Sequence, residues 1–574
     1  MSDHDLVIRG GSVADGTGAG LWQGDVAVKD GRIVATGTVS GSGKDEIDAR
    51  GKLVTPGFVD IHTHYDAQVT WDTRFSPSTN HGVTTIVMGN CGVGFAPCAA
   101  DMRDEMISVM EGVEDIPGIV LAEGLPWNWA SFPEYMDAIE QRKMDADFAV
   151  AVPHIPVRIA AMGKRAIARE PATAEDMAAM AAIVAEGISV GAFGFSTTRV
   201  ISHRSANGEQ LPVTRASEDE LMAIAMAMKP YGQQLFMSAS EFDTTSGYSE
   251  EFQMLARIAE MSGHTVTFPL LQYNEAPDRW REIADACATE RDHGVDIYGQ
   301  VVGRPVGVLY GLELTLNPFT GCPTYDRIAH LSLDQKVAAM REPDVRAKIL
   351  AEMDLPLDTA TYPFFLRDTA SCYAMGSDPE YAPPERKRFD RLAKKRGCST
   401  AEIAYDAVLE EEGRAILYYP ARNFSARNLD VVHDMLARDE TVLGLGDGGA
   451  HVGSICDASM QTFMLTYWAR DRKGARFPVE EVVRRMTRHT ALVGGFGDRG
   501  LILPQFKADI NIIDYDALAL SAPHVSFDLP GGGRRLTQKA RGYTATIVSG
   551  VATARDDQPT GALPGHLVRG RRAW

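Results

Sequence analysis

From residue 57 to residue 495, short apolar runs rich in β-branched and aromatic residues alternate with Ala-rich helical patterns. TTIVMG, DFAVAVP, GAFGFST, HTVTFPLLQ, VDIYGQVV and VLGLGD read as strands, and ATAEDMAAMAAIVAEGI and SEDELMAIAMAMK as helices. Parallel neighbours need a crossover long enough to hold a helix, so this alternation points to repeated βα units. In a chain of 574 residues the expected fold is α/β, a (β/α)8 TIM-like barrel, with a doubly wound sheet as the alternative.

Two kinds of segment interrupt the alternation. Residues 1–56 (DLVIRGGSVADGTG, DVAVKDGRIVATG) and 496–574 (ADINIIDYD, ARGYTATIVSGVATARDD) are strand-rich and punctuated by Gly and Asp, which predicts one small β-sandwich built from both termini. Residues 305–400 are irregular and rich in Pro, Tyr and charge (LNPFTGCPTYDRIAHL, SDPEYAPPERKRFDRL), as expected of an inserted lid or subdomain. The formal net charge of −20 opposes attraction to nucleic acid or anionic membrane. A small-molecule partner is expected; a homo-oligomer is compatible with the sequence. Seven scattered cysteines and the opening MSDHDLVIRGG suggest no disulfide framework and no secretory signal, so a cytoplasmic location is expected.

Within GFVDIHTHYDAQ, His62 and His64 end an apolar run two residues apart. On a strand they point to the same side and can share a cation. Two histidines satisfied by nearby carbonyls would give the same pattern, and the motif alone leaves both readings open.

The stretch LVTPGFVDIHTHYDAQ resembles the opening of the amidohydrolase superfamily. FSPSTNHGVTTIVMGNCGVGFAP, GAFGFST, GLELTLNPFTG, GDGGAH and GDRGLILPQFKADINIIDYD resemble its D-aminoacylase (N-acyl-D-amino-acid deacylase) branch, over nearly the whole chain. The resemblance implies that His62 and His64 bind metal, that Cys91 replaces a bridging carboxylated lysine as ligand, and that Asp447 binds metal and relays a proton. It implies a divalent cofactor, Zn2+ foremost, one ion or two. Taken singly, Cys91 is equally a small buried cysteine and Asp447 a turn-former.

The chain departs from the branch where two later metal histidines belong. Ser238, Ala239 or Glu241 and then Leu270 or Gln272 stand there, and His264 lies at the wrong end of its strand to serve. The branch's carboxylate-gripping lysine and arginine also lack counterparts, Gln272 standing at the lysine's position. Arg199, His203, Tyr298, Arg304 and His451 are the candidate substrate-binding residues, His203 foremost, although each alone reads as readily as an ordinary loop or capping residue. The expected function is metal-dependent hydrolysis of a linear amide, an N-acyl amine or N-acyl (D-)amino acid, with Asp447 as general base and acid. A cyclic amide or imide hydrolase, or a barrel that has lost its metal, are the alternatives.

Overall fold

A computed structural model describes residues 2–240, 242, 248–358, 362–363 and 365–570. The two ends of the chain share one ladder. Strands His4–Val13, Trp22–Lys29, Arg32–Gly37, Gly43–Asp48 and Leu53–Pro56 join Ile510–Ile513, Tyr543–Val548, Val551–Arg555 and Gln558–Pro559 in a nine-stranded sheet. Leu53–Pro56 pairs antiparallel with Ile510–Ile513, and Leu6, Ile8, Val26, Ile33, Ile510, Ile512 and Ile547 form a core beneath.

The central strands are parallel and almost entirely buried, which is why their sequences read as continuous apolar runs rather than alternating ones. Phe58–Asp60, Val83–Met88 and Asp147–Val150 form one ladder, and Val152–Pro153, Gly194–Thr198, Leu235–Ala239, Thr265–Pro269, Ile297–Val301 and Thr441–Leu443 form another. Helices return the chain between them. Ala174–Ser189 begins with a Thr173–Asp176 capping box, and Ser217 caps Glu218–Met228.

The expectation of a closed eight-stranded ladder is corrected at two places. At Ala151 the third strand changes neighbour: Thr85 faces Asp147 in the first ladder, whereas Phe195 faces Val152 in the second. Between the last strand and the first, a single parallel bridge, Thr63 to Gly448, stands in for a ladder. Left-handed backbone at Leu445, Asp447, Gly449 and His451 ends the extended chain there. The seam is nevertheless tied, because Asp447 N–H donates to His62 O (3.1 Å) and His64 N–H to Gly448 O (2.7 Å).

The excursion runs further than the sequence suggested. Val306–Tyr310 and Tyr373–Ala374 both pair with Leu417–Arg422, so its sheet is completed beyond residue 400. Val308, Tyr310, Phe319, Tyr405 and Leu417 belong to a core of its own. It docks on the segment after Asp447 through Leu309 N–H to Ser454 O (2.8 Å) and Thr315 N–H to Gly453 O (3.1 Å). No helix among the described residues is long and apolar enough to cross a membrane.

Candidate metal centre

His62 and His64 follow strand Phe58–Asp60 directly, and their rings lie 5.4 Å apart, centroid to centroid. Asp60 holds the approach: its carboxylate accepts from His62 N–H (3.1 Å) and Gln461 Nε2 (3.2 Å). Burial pushes the Asp60 carboxyl up to about 6 despite these bonds. His62 Nδ1 meets Gln300 Oε1 at 2.7 Å, and the same amide donates to Thr267 Oγ1 at 2.9 Å. A carbonyl oxygen only accepts, so His62 carries its proton on Nδ1 and turns the Nε2 lone pair toward the site.

Cys91 reaches the same point from the turn after Val83–Met88. Its Sγ lies 3.5 Å from His62 Nε2, and ligand atoms of His62, His64 and Cys91 all fall within 4.8 Å of one another. The GNCG turn needs left-handed backbone at Gly89, Cys91 and Gly92. A Cβ on Gly89 would sit 2.4 Å from Ala151 O, so the glycine there answers to both strain and space. Burial pushes the Cys91 thiol up, but the imidazoles of His62 and His64 outweigh it and bring it down to about 7.

Asp447 Oδ1 closes the group, 3.3 Å from His62 Nε2 and 3.7 Å from His64 Nε2. Its side chain keeps 19% exposure while the two histidines keep 5% and 3%, so Asp447, with the part-exposed Cys91, is where the group meets solvent. Burial works against its charge, but His64, His62 and His451 hold it well below the usual carboxylate range. Its φ of +47° is a conformation that costs about 1–3 kcal/mol in a non-glycine residue and is retained where geometry demands it. Two imidazoles and a thiol of lowered pKa lie within 4.8 Å of one another with the Asp447 carboxylate beside the imidazoles, a donor set suited to a divalent ion of the Zn2+ type.

The other candidates divide. His203 and His451 border the group: both act electrostatically on each other or on Asp447, and burial with cationic neighbours drives His203 down to about 3. His203 Nδ1 lies 3.1 Å from Thr198 Oγ1.

Arg199, Tyr298 and Arg304 have partners within the chain. Arg199 donates to Glu251 (2.8 and 3.1 Å) and to Ala216 O, and it lines a separate cavity of about 740 Å³ with Arg215, Glu218 and Arg257. Tyr298 sits at the start of its strand beneath Arg291 (3.9 Å to the ring centroid) and beside His489, away from the strand end that carries the site. Arg304 is 1% exposed, bound to Asp457 (2.8 and 3.1 Å), Ser459 Oγ (2.9 Å) and Cys456 O, over the ring of Tyr381.

At the positions of the missing histidines, Ser238 bonds to Ser240 (2.9 Å) and Leu270 is buried against Gly299. Gln272 donates its backbone N–H to Asn423 Oδ1 (2.7 Å) and accepts at Oε1 from Ser425 N–H (3.2 Å), and Glu241 lies outside the described residues. His264 is a structural residue, bonded to Ala225 O (3.0 Å).

Sequence reasoning missed Glu114 and Gln300. Gln300 had a signal: it lies two residues beyond Tyr298 on the same strand side and nearer the productive end. Glu114 had none, since it closes helix Arg103–Glu114 and no apolar strand precedes it.

Fold and site together define an α/β protein with a candidate metal centre at its strand ends. The amidohydrolase family model matches residues 45–554, and the chain belongs to that family: it is a hydrolase of carbon–nitrogen bonds other than peptide bonds. Among curated relatives, a D-aminoacylase of Alcaligenes xylosoxydans xylosoxydans is 25% identical over 98% of this chain and 97% of its own length. An N-acyl-D-glutamate deacylase of the same organism is 34% identical over 34% of this chain and 37% of its own. A crystal structure of D-aminoacylase superposes with a TM-score of 0.66 at 24% identity, covering 99% of this chain and all of that one. The N-acyl-D-glutamate deacylase of Bordetella bronchiseptica, solved with zinc and a phosphonate mimic of the tetrahedral intermediate, gives 0.65 at 22%, with 99% of each chain covered.

Proposed function

We propose that the protein hydrolyses a linear amide, an N-acyl amine or N-acyl (D-)amino acid, at one Zn2+ ion held by His62, His64, Cys91 and Asp447. The observation that carries this reading is the position of Asp447 Oδ1, within 3.3 and 3.7 Å of both histidine Nε2 atoms. A bound divalent cation supplies Lewis-acid polarisation of the amide carbonyl and makes water acidic near neutral pH. Asp447, the carboxylate open to solvent, takes the proton from the attacking water and delivers it to the departing nitrogen, so one group serves both transfers. His203, kept neutral, offers an N–H to the carbonyl oxygen as negative charge develops there, and His451 lines the approach.

The relatives named above act on N-acyl-D-amino acids, which supports an amide bearing an α-carboxylate. Arg199 and Arg304 are both committed to carboxylates of the chain itself, which supports a less anionic substrate, because a carboxylate buried without a cation is costly. In this reading residues 305–400 close over the acyl group and exclude water, the two parallel ladders work as one barrel, residues 1–56 and 496–574 brace it, and the enzyme acts on small molecules in the cytoplasm.

Metal analysis and a screen of N-acyl compounds, with and without an α-carboxylate, test it together. The expected result is one zinc per chain and two products, an amine and a carboxylic acid. Metal-free protein with no turnover on zinc addition would overturn the proposal, and a single ring-opened product would redirect it to cyclic amides.

A further inference from the structure

We infer that Glu114 is a positioning residue that fixes the tautomer and orientation of His64, and thereby the strength with which that imidazole holds the ion. The inference rests on the metal reading proposed above and adds a residue to it.

Each histidine of the pair needs its Nδ1–H held if Nε2 is to present a lone pair. His62 is held by the neutral amide of Gln300 at 2.7 Å. For His64, the group facing Nδ1 is the carboxylate of Glu114, Oε1 at 3.3 Å, with both side chains 3% exposed. The contact is an ion-pair approach and not a finished hydrogen bond: His64 Nδ1 and Glu114 Oε2 both stay without a hydrogen-bond partner. A buried carboxylate with one oxygen unpaired is a poor structural element. Among the described residues no arginine or lysine forms a salt bridge with Glu114. Its placement makes sense as a second contact for an imidazole whose other nitrogen binds a cation.

The backbone delivers the carboxylate firmly. Glu114 ends its helix, its carbonyl accepts from Val452 N–H (3.3 Å) in the segment after Asp447, and the adjoining Asp115 accepts from Thr315 Oγ1 (2.8 Å) of the excursion. Glu114 is not itself a ligand, because Oε1 lies at the Nδ1 edge of the ring and His64 turns Nε2 toward Asp447. The two histidines therefore differ: an anion behind His64 makes it the more basic ligand, and an amide behind His62 the less basic one.

Zn2+ affinity measured by competition with a chromophoric chelator tests this on the wild type and E114Q. The amide keeps the shape but loses the charge, and a 10–100-fold loss of affinity is expected. Histidine 15N NMR of zinc-loaded wild-type protein supplies a readout independent of whether E114Q folds: His64 should carry its proton on Nδ1 and bind through Nε2. Wild-type affinity in E114Q, or ligation through Nδ1, would overturn the inference and leave the metal reading intact. A wild type that binds no zinc would remove both.

Discussion

Around Arg304 each guanidinium nitrogen finds an acceptor, whereas a short distance away the polar atoms around His64 do not. Arg304 binds Asp457, Ser459 and Cys456 O and lies 3.8 Å from the centroid of the Tyr381 ring. At the histidines, His64 Nδ1, Glu114 Oε2, Asn90 Oδ1 and Gln461 Oε1 are buried without partners, and Cys91, Asp447 and His451 hold left-handed backbone. Both clusters bury charge. One is complete within the chain and serves the fold; the other keeps buried polar atoms without partners and left-handed backbone, which persist because neighbouring structure over-determines them.

The largest effect expected from that contrast is on turnover. Asp447→Asn should lower kcat/KM on an accepted N-acyl substrate by about 10²–10⁴-fold, with only a modest drop in melting temperature as the pairing with His62 and His64 is lost. A stability loss large enough to account for the lost turnover would move Asp447 into the structural class. Arg304→Met should behave in the opposite way. It strands Asp457 in the interior and should cost about 3–5 kcal/mol in denaturant unfolding, with the folded fraction retaining kcat/KM.

Stripping the protein with a chelator should abolish activity reversibly and lower stability by about 2.7 kcal/mol relative to protein holding zinc at 100 times its Kd. Calorimetry with and without zinc measures it, and equal stability would argue that the open cluster takes no ion.

The smallest effect concerns His81, a histidine complete on both sides through Thr462 Oγ1 (2.8 Å) and Gln538 O (3.0 Å). Burial drives it down to about 4. Its folded value lies below the unfolded one near 6.5, so the unfolded chain binds the extra proton first and stability falls as pH drops from 6.5 toward 4. Replacing His81 with Gln should flatten that slope by roughly 1–2 kcal/mol between pH 7 and 5, read from denaturant midpoints. An unchanged slope would mean that His81 is already charged in the fold.

Part of the candidate site was legible locally: His62 and His64 share a side through the two-residue period of extended chain. Cys91 and Asp447 each follow an apolar run at a Gly-rich turn, a signal too common to select them without the family resemblance. The sequence is silent where a residue's use depends on its partner. Arg199 and Arg304 looked available in sequence, but Glu251 and Asp457 neutralise them from 52 and 153 positions away. Tyr298 was chosen over Gln300 although the later residue lies nearer the strand end. Glu114 could not be found at all, since a glutamate closing a helix looks the same whether it faces water or a histidine.

Periodicity carried the strand–helix alternation and the kinship of the two strand-rich ends, because short-range geometry dictates which side chains share a face, while the resemblance to a known family carried the candidate metal ligands. Contacts across hundreds of residues carried the rest. Val452 meets Glu114 and Gly448 meets His64, joining helix, first strand and last strand at one point. Whether a charge is spent or free, and whether the two ladders meet along a full edge or at one bridge, depends on which distant groups packing brings within hydrogen-bond reach. Local sequence has no means of encoding that distance.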